Sequence, residues 1–523
     1  MKQTFKRSTK LVSLIAIAAL SAVSTLAVYS SSNAQAGETD LTVWLPAGSP
    51  EAGPPPADWE VYKIIRDKLK INLKFVVAPI GADGETKLGA LAAANDLPDL
   101  FEMRNRNQFF QFAEQGLLGN TKAMLKFMPQ RTLERYKDKD LNLLATVNGQ
   151  LLGLQEAQLL YKRTSLLIRQ DWLDKLNLKT PTTLAEFAEV AKAFTEKDPD
   201  GNGKNDTYGW GVNPDWNPGA FDVVYGAYGV QGNWNLNGAA NFKLNVRDPN
   251  YRKATEFVNG LIAAKSVDPD WPTLKTNDFR ARWKQGKYGI FAEDFCAATC
   301  SFNYAPFDTS NPTGSLKTIN PPVGPDGKSS SATFAYAGTL LTVSKKAIDA
   351  GKGQAIARLL EWANSGEGYF LLAFGRRGTN YNLDKNAVIT PLGIDPANVY
   401  NAAGFLKFTQ MKVLALNGRP RELAARYPVF KTANGRTIVP MDYYRASFKT
   451  PHTNVIGTYL IKPAANQADM DRYINENRVQ FQLGQKPISD ATWNDFVKGL
   501  DGLKADEFEA TAKITLQKAG FLK

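Results

Sequence analysis

The fold is decided by the stretch Leu41-Thr42-Val43-Trp44-Leu45 (LTVWL) and by the alternation that follows it. A short run of apolar and β-branched residues is typical of a buried strand. Similar runs occur at Leu73 to Val77 and at Asp99 to Met103, and helical patterns separate the three runs. We expect Asp58 to cap the first helix. Strands that alternate with helices imply a parallel sheet and an α/β fold.

The same alternation returns later in the chain. Leu166 to Ile168 and Gly338 to Val343 are predicted strands, and Gln354 to Asn364 is a predicted helix. Ligands of parallel sheets bind beyond the carboxyl ends of the strands. We therefore expect a binding region at Trp44 and along the loop that runs through Trp59.

The first 36 residues have the pattern of an export signal. Four basic residues come first, Leu11 to Val28 is apolar or small, and Ala34-Gln35-Ala36 forms a small-x-small cleavage site. Cleavage after Ala36 would release the protein, whereas an uncleaved signal would act as a membrane anchor. No cysteine lies near the site, so a lipid anchor is not expected. We predict a periplasmic protein.

Charge and composition exclude some classes of function. The formal net charge is +12, and the four basic residues of the signal leave +8 for the remainder. Lysine and arginine are scattered without a basic run, which argues against nucleic-acid binding. The moderate positive charge would suit an acidic ligand, or would serve only solubility. The length predicts more than one domain.

The two cysteines, Cys296 and Cys300, are close in sequence. In an oxidising compartment they are predicted to form a short disulfide. A metal site is a poorer interpretation, because the single histidine, His452, is distant in sequence and no second thiol pair exists.

An Asp-rich loop follows a predicted helix and has the spacing of an EF-hand calcium loop. The candidate metal ligands are Asp198, Asp200, Asn202, Lys204 through its carbonyl, Asp206 and Thr207. The twelfth position is Gly209 in place of the usual bidentate glutamate, so the site needs a further oxygen from Thr207, water or a distant residue. The alternative is a solvated turn that binds nothing.

The helix before this loop is predicted from a capping box. Thr183 and Glu186 have the required spacing. An apolar stripe follows, formed by Leu184, Phe187, Ala191 and Phe194. A cation at the carboxyl end of the helix would complement its dipole, which favours a structural role for the metal.

Several short motifs follow one another in a set order. They are NDLPD at 95–99, VNGQ at 147–150, IRQDWLDKL at 168–176, KDPDGNGKND at 197–206, YIN at 473–475 and WNDF at 493–496. This series resembles the extracellular solute-binding proteins that serve ABC transporters for oligosaccharides. It is most similar to the LipO-like group, which includes the alginate-binding periplasmic proteins. Many LipO-like members carry a lipid-anchoring cysteine, from which this chain departs.

The resemblance implies the periplasmic binding protein fold, in which two α/β lobes close over a central cleft by a hinge motion. After the signal at 1–36, the N-terminal lobe would comprise 37–165 and about 335–381. The C-terminal lobe would comprise about 166–334 and 382–523. Crossings are expected near Thr164, Ala335 and Tyr381. The resemblance also implies a structural Ca²⁺ in the Asp198 loop, although alginate-binding members have an acid where this chain has Thr207.

The leading hypothesis is that a monomeric protein captures an oligosaccharide, with an acidic, uronate-containing chain as one form of the ligand, and delivers it to a membrane permease. Sugars offer C–H faces to aromatic rings and hydroxyls to polar groups. The candidate ligand-binding aromatics are Trp59, Trp216, Trp234, Phe295, Tyr443, Tyr444 and Phe448, and the candidate arginines are Arg376, Arg377 and Arg445. For the aromatics the alternative is core packing. For the arginines it is a structural or solvated ion pair.

Two other classes of function remain open from the residues. An exported polysaccharide-degrading enzyme needs two facing carboxylates, and nothing in the sequence fixes such a pair. The sequence also lacks a G-x-S-x-G elbow and has one histidine. A binding protein for a non-sugar solute, such as a peptide, would use the same fold. We expect a non-enzymatic binding protein.

Overall fold

The structure is a computed structural model that describes residues 37–46, 52–79, 82–133, 136, 139–154, 161–162, 164–213, 221–335, 340–385, 387–414, 424 and 427–523. Within these ranges the chain is a mixed α/β protein.

The strands in chain order are β1 Thr39–Pro46, β2 Ile71–Ala78, β3 Leu100–Met103, β4 Thr146–Val147, β5 Gln150–Leu151, β6 Tyr161–Lys162, β7 Ser165–Arg169, β8 Tyr208–Gly211, β9 Tyr288–Glu293, β10 Leu316–Ile319, β11 Ser331–Ala335, β12 Leu340–Val343, β13 Asn382–Leu383, β14 Ile389–Thr390, β15 Phe430–Lys431, β16 Thr437–Ile438 and β17 His452–Asn454.

The α-helices are α1 Glu60–Leu69, α2 Ala82–Ala93, α3 Arg106–Glu114, α4 Lys122–Leu125, α5 Gln130–Leu133, α6 Lys139–Leu144, α7 Gln170–Lys175, α8 Leu184–Glu196, α9 Asp222–Ala227, α10 Pro249–Ala263, α11 Thr276–Lys284, α12 Phe295–Thr299, α13 Ser301–Ser310, α14 Lys345–Asp349, α15 Gly353–Ala363, α16 Gly366–Phe374, α17 Pro440–Lys449, α18 Gln467–Gln482, α19 Asp490–Gly502 and α20 Ala505–Lys518. Short 3₁₀ segments are Asn245–Arg247, Trp271–Thr273, Ala403–Leu414 and Ile456–Leu460.

The first sheet has the strand order β12-β3-β1-β2. Strand β1 is parallel to both β2 and β3, while β12 is antiparallel to β3. The strands predicted in this part of the chain are therefore confirmed, and the side chain of Trp44 is buried. The predicted cap of α1 was wrong. Trp59, not Asp58, occupies the cap position, and its side chain makes no capping hydrogen bond.

The second sheet has the order β10-β7-β9-β8. Strand β8 is parallel to β9, and β7 is antiparallel to β9 and β10. The predicted strand at 166–168 is confirmed as β7. The predicted capping box is also confirmed, because Thr183 and Glu186 exchange both hydrogen bonds at the start of α8. Phe194 of α8 packs edge-on against Trp172, with ring centroids 5.3 Å apart.

A third sheet, with the order β17-β11-β6, lies on the segments that connect the first two. Strand β6 precedes β7 of the second sheet, and β11 precedes β12 of the first sheet. Strand β11 pairs in parallel with β17 and antiparallel with β6. The chain therefore passes between the two larger sheets through paired strands.

Separate hydrophobic cores accompany the two larger sheets. The first core surrounds β1 and β3, and the segment after Tyr381 contributes Ile389, Met411 and Leu414 to it. The segment up to Leu414 thus packs with the first sheet, whereas the sequence placed the last crossing near Tyr381. The second core surrounds β7 and α8 and includes buried residues from Met470 to Leu522. No helix in the described ranges is long and apolar enough to cross a membrane.

Candidate functional site

The carboxyl ends of the parallel strands in both larger sheets lie beside the connecting segments. In the first sheet, Met103 at the carboxyl end of β3 pairs with Leu340, where β12 begins. In the second sheet, Glu293 at the carboxyl end of β9 pairs with Ser165, where β7 begins. Since β12 and β7 each follow a connecting segment, these two sheet edges lie next to the passages between the lobes. Ligands of open α/β sheets bind at such edges.

Four aromatic side chains meet just beyond the carboxyl end of β9. The ring centroid of Phe295 lies 5.4 Å from that of Tyr427 and 5.2 Å from that of Tyr444. Tyr444 in turn lies 4.8 Å from Phe448. We call Phe295, Tyr427, Tyr444 and Phe448 the aromatic group. It unites three of the predicted ligand residues at a sheet edge.

Local hydrogen bonds fix the start of helix α12, which carries Phe295. The carboxylate of Asp294 accepts from the backbone N–H groups of Cys296 and Ala297, as an N-cap. The predicted disulfide is confirmed between Cys296 and Cys300, whose Cα atoms are 4.6 Å apart. The cap and the disulfide both restrain the backbone of the short helix α12, whose first residue is Phe295.

Tyr443 is adjacent to Tyr444 in sequence but faces elsewhere. Its hydroxyl donates to the carbonyl oxygen of Leu316 at 2.8 Å. Its ring packs against a third, smaller hydrophobic cluster, which includes Tyr304 and Phe307. Burial raises the pKa of both tyrosines. The structure does not bring Tyr443 to the aromatic group.

Two of the predicted arginines are already paired with carboxylates. Arg376 donates from Nε and Nη2 to Glu60, with distances of 2.7 and 2.6 Å. Glu60 begins α1 beyond the carboxyl end of β1, so this pair lies at the edge of the first sheet. Arg445 pairs with Asp442 at 3.0 Å on an exposed face. The backbone of Arg377 forms a bridge with Tyr381, and its side chain is exposed.

The three predicted tryptophans have different outcomes. Trp59 is 7% exposed and packs against Tyr62 and Phe408 in the first core. Trp234 is 8% exposed and stacks on Phe242, with ring centroids 4.9 Å apart. Both side chains therefore serve largely as packing residues. Trp216 lies outside the described residues.

Sequence reasoning missed a charged pair at the carboxyl end of β3. Glu102 is buried, and its Oε1 accepts from Nε of the half-exposed Arg104 at 2.5 Å. Its other oxygen, Oε2, is buried without a hydrogen-bond partner. Burial raises the pKa of Glu102, and the nearby Arg104 opposes that shift. Their position directly after a buried strand was the available signal. Tyr427 of the aromatic group was missed because it does not directly follow a predicted buried strand.

The Asp198 loop is a compact turn closed by its own carboxylates. Asp198 accepts from the backbone N–H groups of Gly201, Asn202 and Gly203 at 3.0–3.1 Å. Gly203 has a φ of +75°, a left-handed conformation that glycine adopts without strain. The side-chain nitrogen of Asn202 donates to Asp200 at 2.9 Å and to Asp206 at 3.1 Å. The three acids therefore gather around Asn202.

The carboxylates of the loop perturb one another. Hydrogen bonding to the Gly203 N–H is the main cause that lowers the pKa of Asp198. Burial, followed by the hydrogen bond with Asp198, raises the pKa of Asp200. A hydrogen bond from Lys287, 2.5 Å away, is the main cause that lowers the pKa of Asp206. This concentration of negative charge would be relieved by a cation.

Donor chemistry in the loop fits calcium, but the side-chain arrangement shows no formed metal site. In the described part of the chain, no three His, Cys, Asp or Glu side chains are grouped closely enough to hold a metal ion. Asn202 presents its nitrogen to the acids, and a half-turn of its amide would present the oxygen instead. Thr207 is engaged elsewhere, because its hydroxyl donates to the carbonyl oxygen of Phe194 at 2.8 Å. It thereby closes the carboxyl end of α8.

The chain has two α/β lobes that are joined by paired strands, and an aromatic group lies at a sheet edge beside the connection. These are the features of a ligand-binding protein. Residues 62–369 match the family of bacterial extracellular solute-binding proteins. This match covers more than half of the chain. The chain therefore belongs to that family, and the resemblance stated from the sequence is confirmed.

Known relatives agree with this assignment. The chain is 29% identical over 310 residues to the polygalacturonan/rhamnogalacturonan-binding protein YtcQ of Bacillus subtilis, over 58% of this chain. The matched region spans 60% of the length of YtcQ. Among solved structures, FusA of Streptococcus pneumoniae in complex with kestose superposes with a TM-score of 0.65 at 16% identity, covering 92% of this chain and 99% of FusA. The alginate-binding protein AlgQ2, solved without calcium ion, has a TM-score of 0.61 at 17% identity, covering 92% and 99%. At these identities the two structures establish the fold.

Proposed function

We propose that the protein is the substrate-binding component of an ABC importer and that it captures an oligosaccharide between its two lobes. The observation that carries the proposal is the aromatic group at the carboxyl edge of the second sheet, beside the passages between the lobes. The rings of Tyr444 and Phe448 are half-buried, so part of each ring remains available to a ligand. Membership of a family of binding proteins supports binding without catalysis.

Aromatic rings and polar groups together suit a sugar. The C–H face of a pyranose or furanose packs on an aromatic ring, while hydroxyls need hydrogen-bonding partners at the rim. At the carboxyl edge of the first sheet, the half-exposed Arg104 would supply a guanidinium, which the buried Glu102 holds in place. Closure of the lobes would bring the two edges to opposite sides of one ligand.

In its more specific form, the proposal is that the ligand is an acidic, uronate-containing oligosaccharide. Arg104 is half-exposed at the edge of the first sheet, and Arg376 lies at the same edge. Guanidinium groups bind carboxylates with two parallel hydrogen bonds. Because Arg376 and Arg445 are already paired with Glu60 and Asp442, a uronate would have to compete with those pairs. The name of YtcQ, which refers to a polymer of uronic acids, supports this form.

The remaining assignments belong to the same proposal. Export would follow cleavage after Ala36, giving a periplasmic monomer without a lipid anchor that docks on membrane permease subunits. We place crossings near Thr164 and near Ala335, and the packing of Ile389, Met411 and Leu414 supports a last crossing after 414. A structural calcium would be held by Asp198, Asp200, Asn202, Asp206 and the carbonyl of Lys204. FusA, which shares the fold, has been solved as an EF-hand mutant, and EF-hand loops bind Ca²⁺.

Calorimetry with purified protein tests the function. We expect heat of binding with an oligosaccharide from a panel of acidic and neutral chains, and no new reducing ends or unsaturated products after long incubation. Binding confined to neutral chains would remove the uronate form. Release of products would instead favour a polysaccharide-degrading enzyme, and binding of peptides alone would contradict a sugar ligand.

A further inference from the structure

A cavity of about 610 Å³ lies beside the third sheet and shares no lining residue with the aromatic group. We call it the Trp234 cavity, after the tryptophan in its wall. Its other principal lining residues are Gln231, Lys328, Ser330, His452 and Thr453. Small-molecule sites commonly occupy about 300–1,000 Å³, so the cavity has room for one sugar unit.

Polar side chains in this wall are held in place by one another. The hydroxyl of Ser330 donates to Oε1 of Gln231 at 3.1 Å, and the hydroxyl of Thr453 donates to Ser330 at 3.0 Å. Gln231 is also held by Asp222, because its Nε2 donates to that carboxylate at 2.6 Å. Gln231 and Ser330 are both buried. The groups therefore form a preorganised polar surface, which lowers the cost of ordering them around a ligand.

Charge in the cavity has one sign. It comes from Lys328, and no aspartate or glutamate occurs among the described lining residues of the cavity. The carboxylate of Asp222 accepts a hydrogen bond from Gln231 and is not among the residues that line the cavity. This arrangement favours a ligand that carries a negative charge.

An aromatic wall completes the site. Trp234 packs against Phe242 at 4.9 Å and Phe508 at 5.1 Å, so its ring is held rigidly. Trp234 also forms part of the wall of a neighbouring cavity of about 330 Å³. The face of the indole is stacked on Phe242, and the small part of the ring that reaches the cavity offers a sugar an apolar contact beside the hydroxyl and amide groups.

We propose that the Trp234 cavity is a second ligand site that takes a single sugar unit carrying a carboxylate. The carboxylate would pair with Lys328, and the sugar hydroxyls would bond to the groups around Ser330 and Thr453. The site shares no residue with the aromatic group. It therefore does not depend on the proposed oligosaccharide function.

Saturation-transfer NMR titration tests this site. D-galacturonate is the probe, and D-galactose is the neutral control with the same ring. We expect galacturonate to bind and galactose to bind at least tenfold more weakly. Lys328→Gln should weaken galacturonate binding at least tenfold. The matched control Lys498→Gln, an exposed lysine on α19, should leave it unchanged.

The variant Tyr444→Ala separates the two sites. Undiminished galacturonate binding in Tyr444→Ala would support the second site, even if oligosaccharide binding is lost. The proposal is overturned if galacturonate does not bind, if Lys328→Gln has no effect, or if Tyr444→Ala abolishes galacturonate binding. Lys328 is exposed, so its replacement should not unfold the protein, and circular dichroism checks this.

Discussion

At the scale of single residues, neighbours of the same type have different roles. Tyr443 and Tyr444 are consecutive on α17, and consecutive helical residues point about 100° apart. Tyr443 therefore bonds to the carbonyl of Leu316, while Tyr444 contacts Phe295 and Phe448. The side chain that faces the sheet edge is the one available to a ligand.

Replacement of Tyr444 tests the aromatic group. We expect Tyr444→Ala to weaken oligosaccharide binding by about 0.5–1.5 kcal/mol, because the ring contact is lost. Tyr444→Phe keeps the ring and should bind nearly as the wild type does. Tyr443→Phe is the neighbouring control and should leave affinity unchanged. Calorimetry measures all three, and an equal loss in Tyr443→Phe would contradict the assignment.

At the scale of elements, the Asp198 loop is built onto the end of α8. At this junction the hydroxyl of Thr207 donates to the carbonyl oxygen of Phe194. The ammonium of Lys175 donates to the carbonyl oxygens of Asp198 and Pro199. Thr207 thus satisfies a carbonyl in the last turn of α8, and the ammonium of Lys175 lies near the negative end of the helix dipole. The loop therefore has supporting contacts from its neighbours, and a bound cation would add to them.

Thermal melting in calcium and in chelator tests the loop. A ligand that binds only the native state must raise the melting temperature, so we expect a higher melting temperature in calcium. Asp200→Asn removes one acid and should reduce that increase, while Asp270→Asn, outside the loop, should not. Equal melting of the wild type in both buffers, without metal by elemental analysis, would leave the loop as a turn.

The pH dependence of the loop follows from Asp206. Its contact with Lys287 lowers the pKa of the carboxyl in the folded state. Stability from this contact is thus present above the ordinary carboxyl pKa, about 4, and is lost as pH falls through the lowered value. Lys287→Gln should therefore reduce stability at neutral pH and have little effect in strong acid. Urea unfolding at several pH values measures the difference.

At the scale of the whole molecule, contacts beside the connecting strands join the two halves. Arg106 of α3 donates to the carbonyl of Leu144 at 2.7 Å and to that of Tyr459 at 3.2 Å. Glu114 at the other end of α3 pairs with Lys462. Because Tyr459 and Lys462 follow β17, these contacts lie next to the third sheet. If the lobes rotated about the third sheet, the carboxyl edges of the two larger sheets would move the most. The contacts of Arg106 and Glu114 would change the least.

Closure around a ligand is measurable by small-angle X-ray scattering. We expect the radius of gyration to fall when a bound oligosaccharide draws the two sheet edges together. A sugar without heat of binding in calorimetry is the control and should leave the curve unchanged. A ligand that binds tightly with no change in the curve would contradict a hinge.

The sequence alone determined the local features of this protein. Strands β1, β2 and β7, the capping box of Thr183 and Glu186 and the disulfide of Cys296 and Cys300 all depend on periodicity or on partners within a few residues. The motif order also identified the family. Such features are readable because their causes lie within one turn or one strand.

Only the tertiary structure decided which candidate residues are free to bind. Trp59 and Trp234 are largely covered by Phe408, Phe242 and Phe508, residues distant in sequence. Arg376 is paired with Glu60, from the opposite end of the first lobe's sequence. The residue type determines which ligands a side chain is able to bind. Contacts with residues distant in sequence determine whether the side chain is already engaged within the protein.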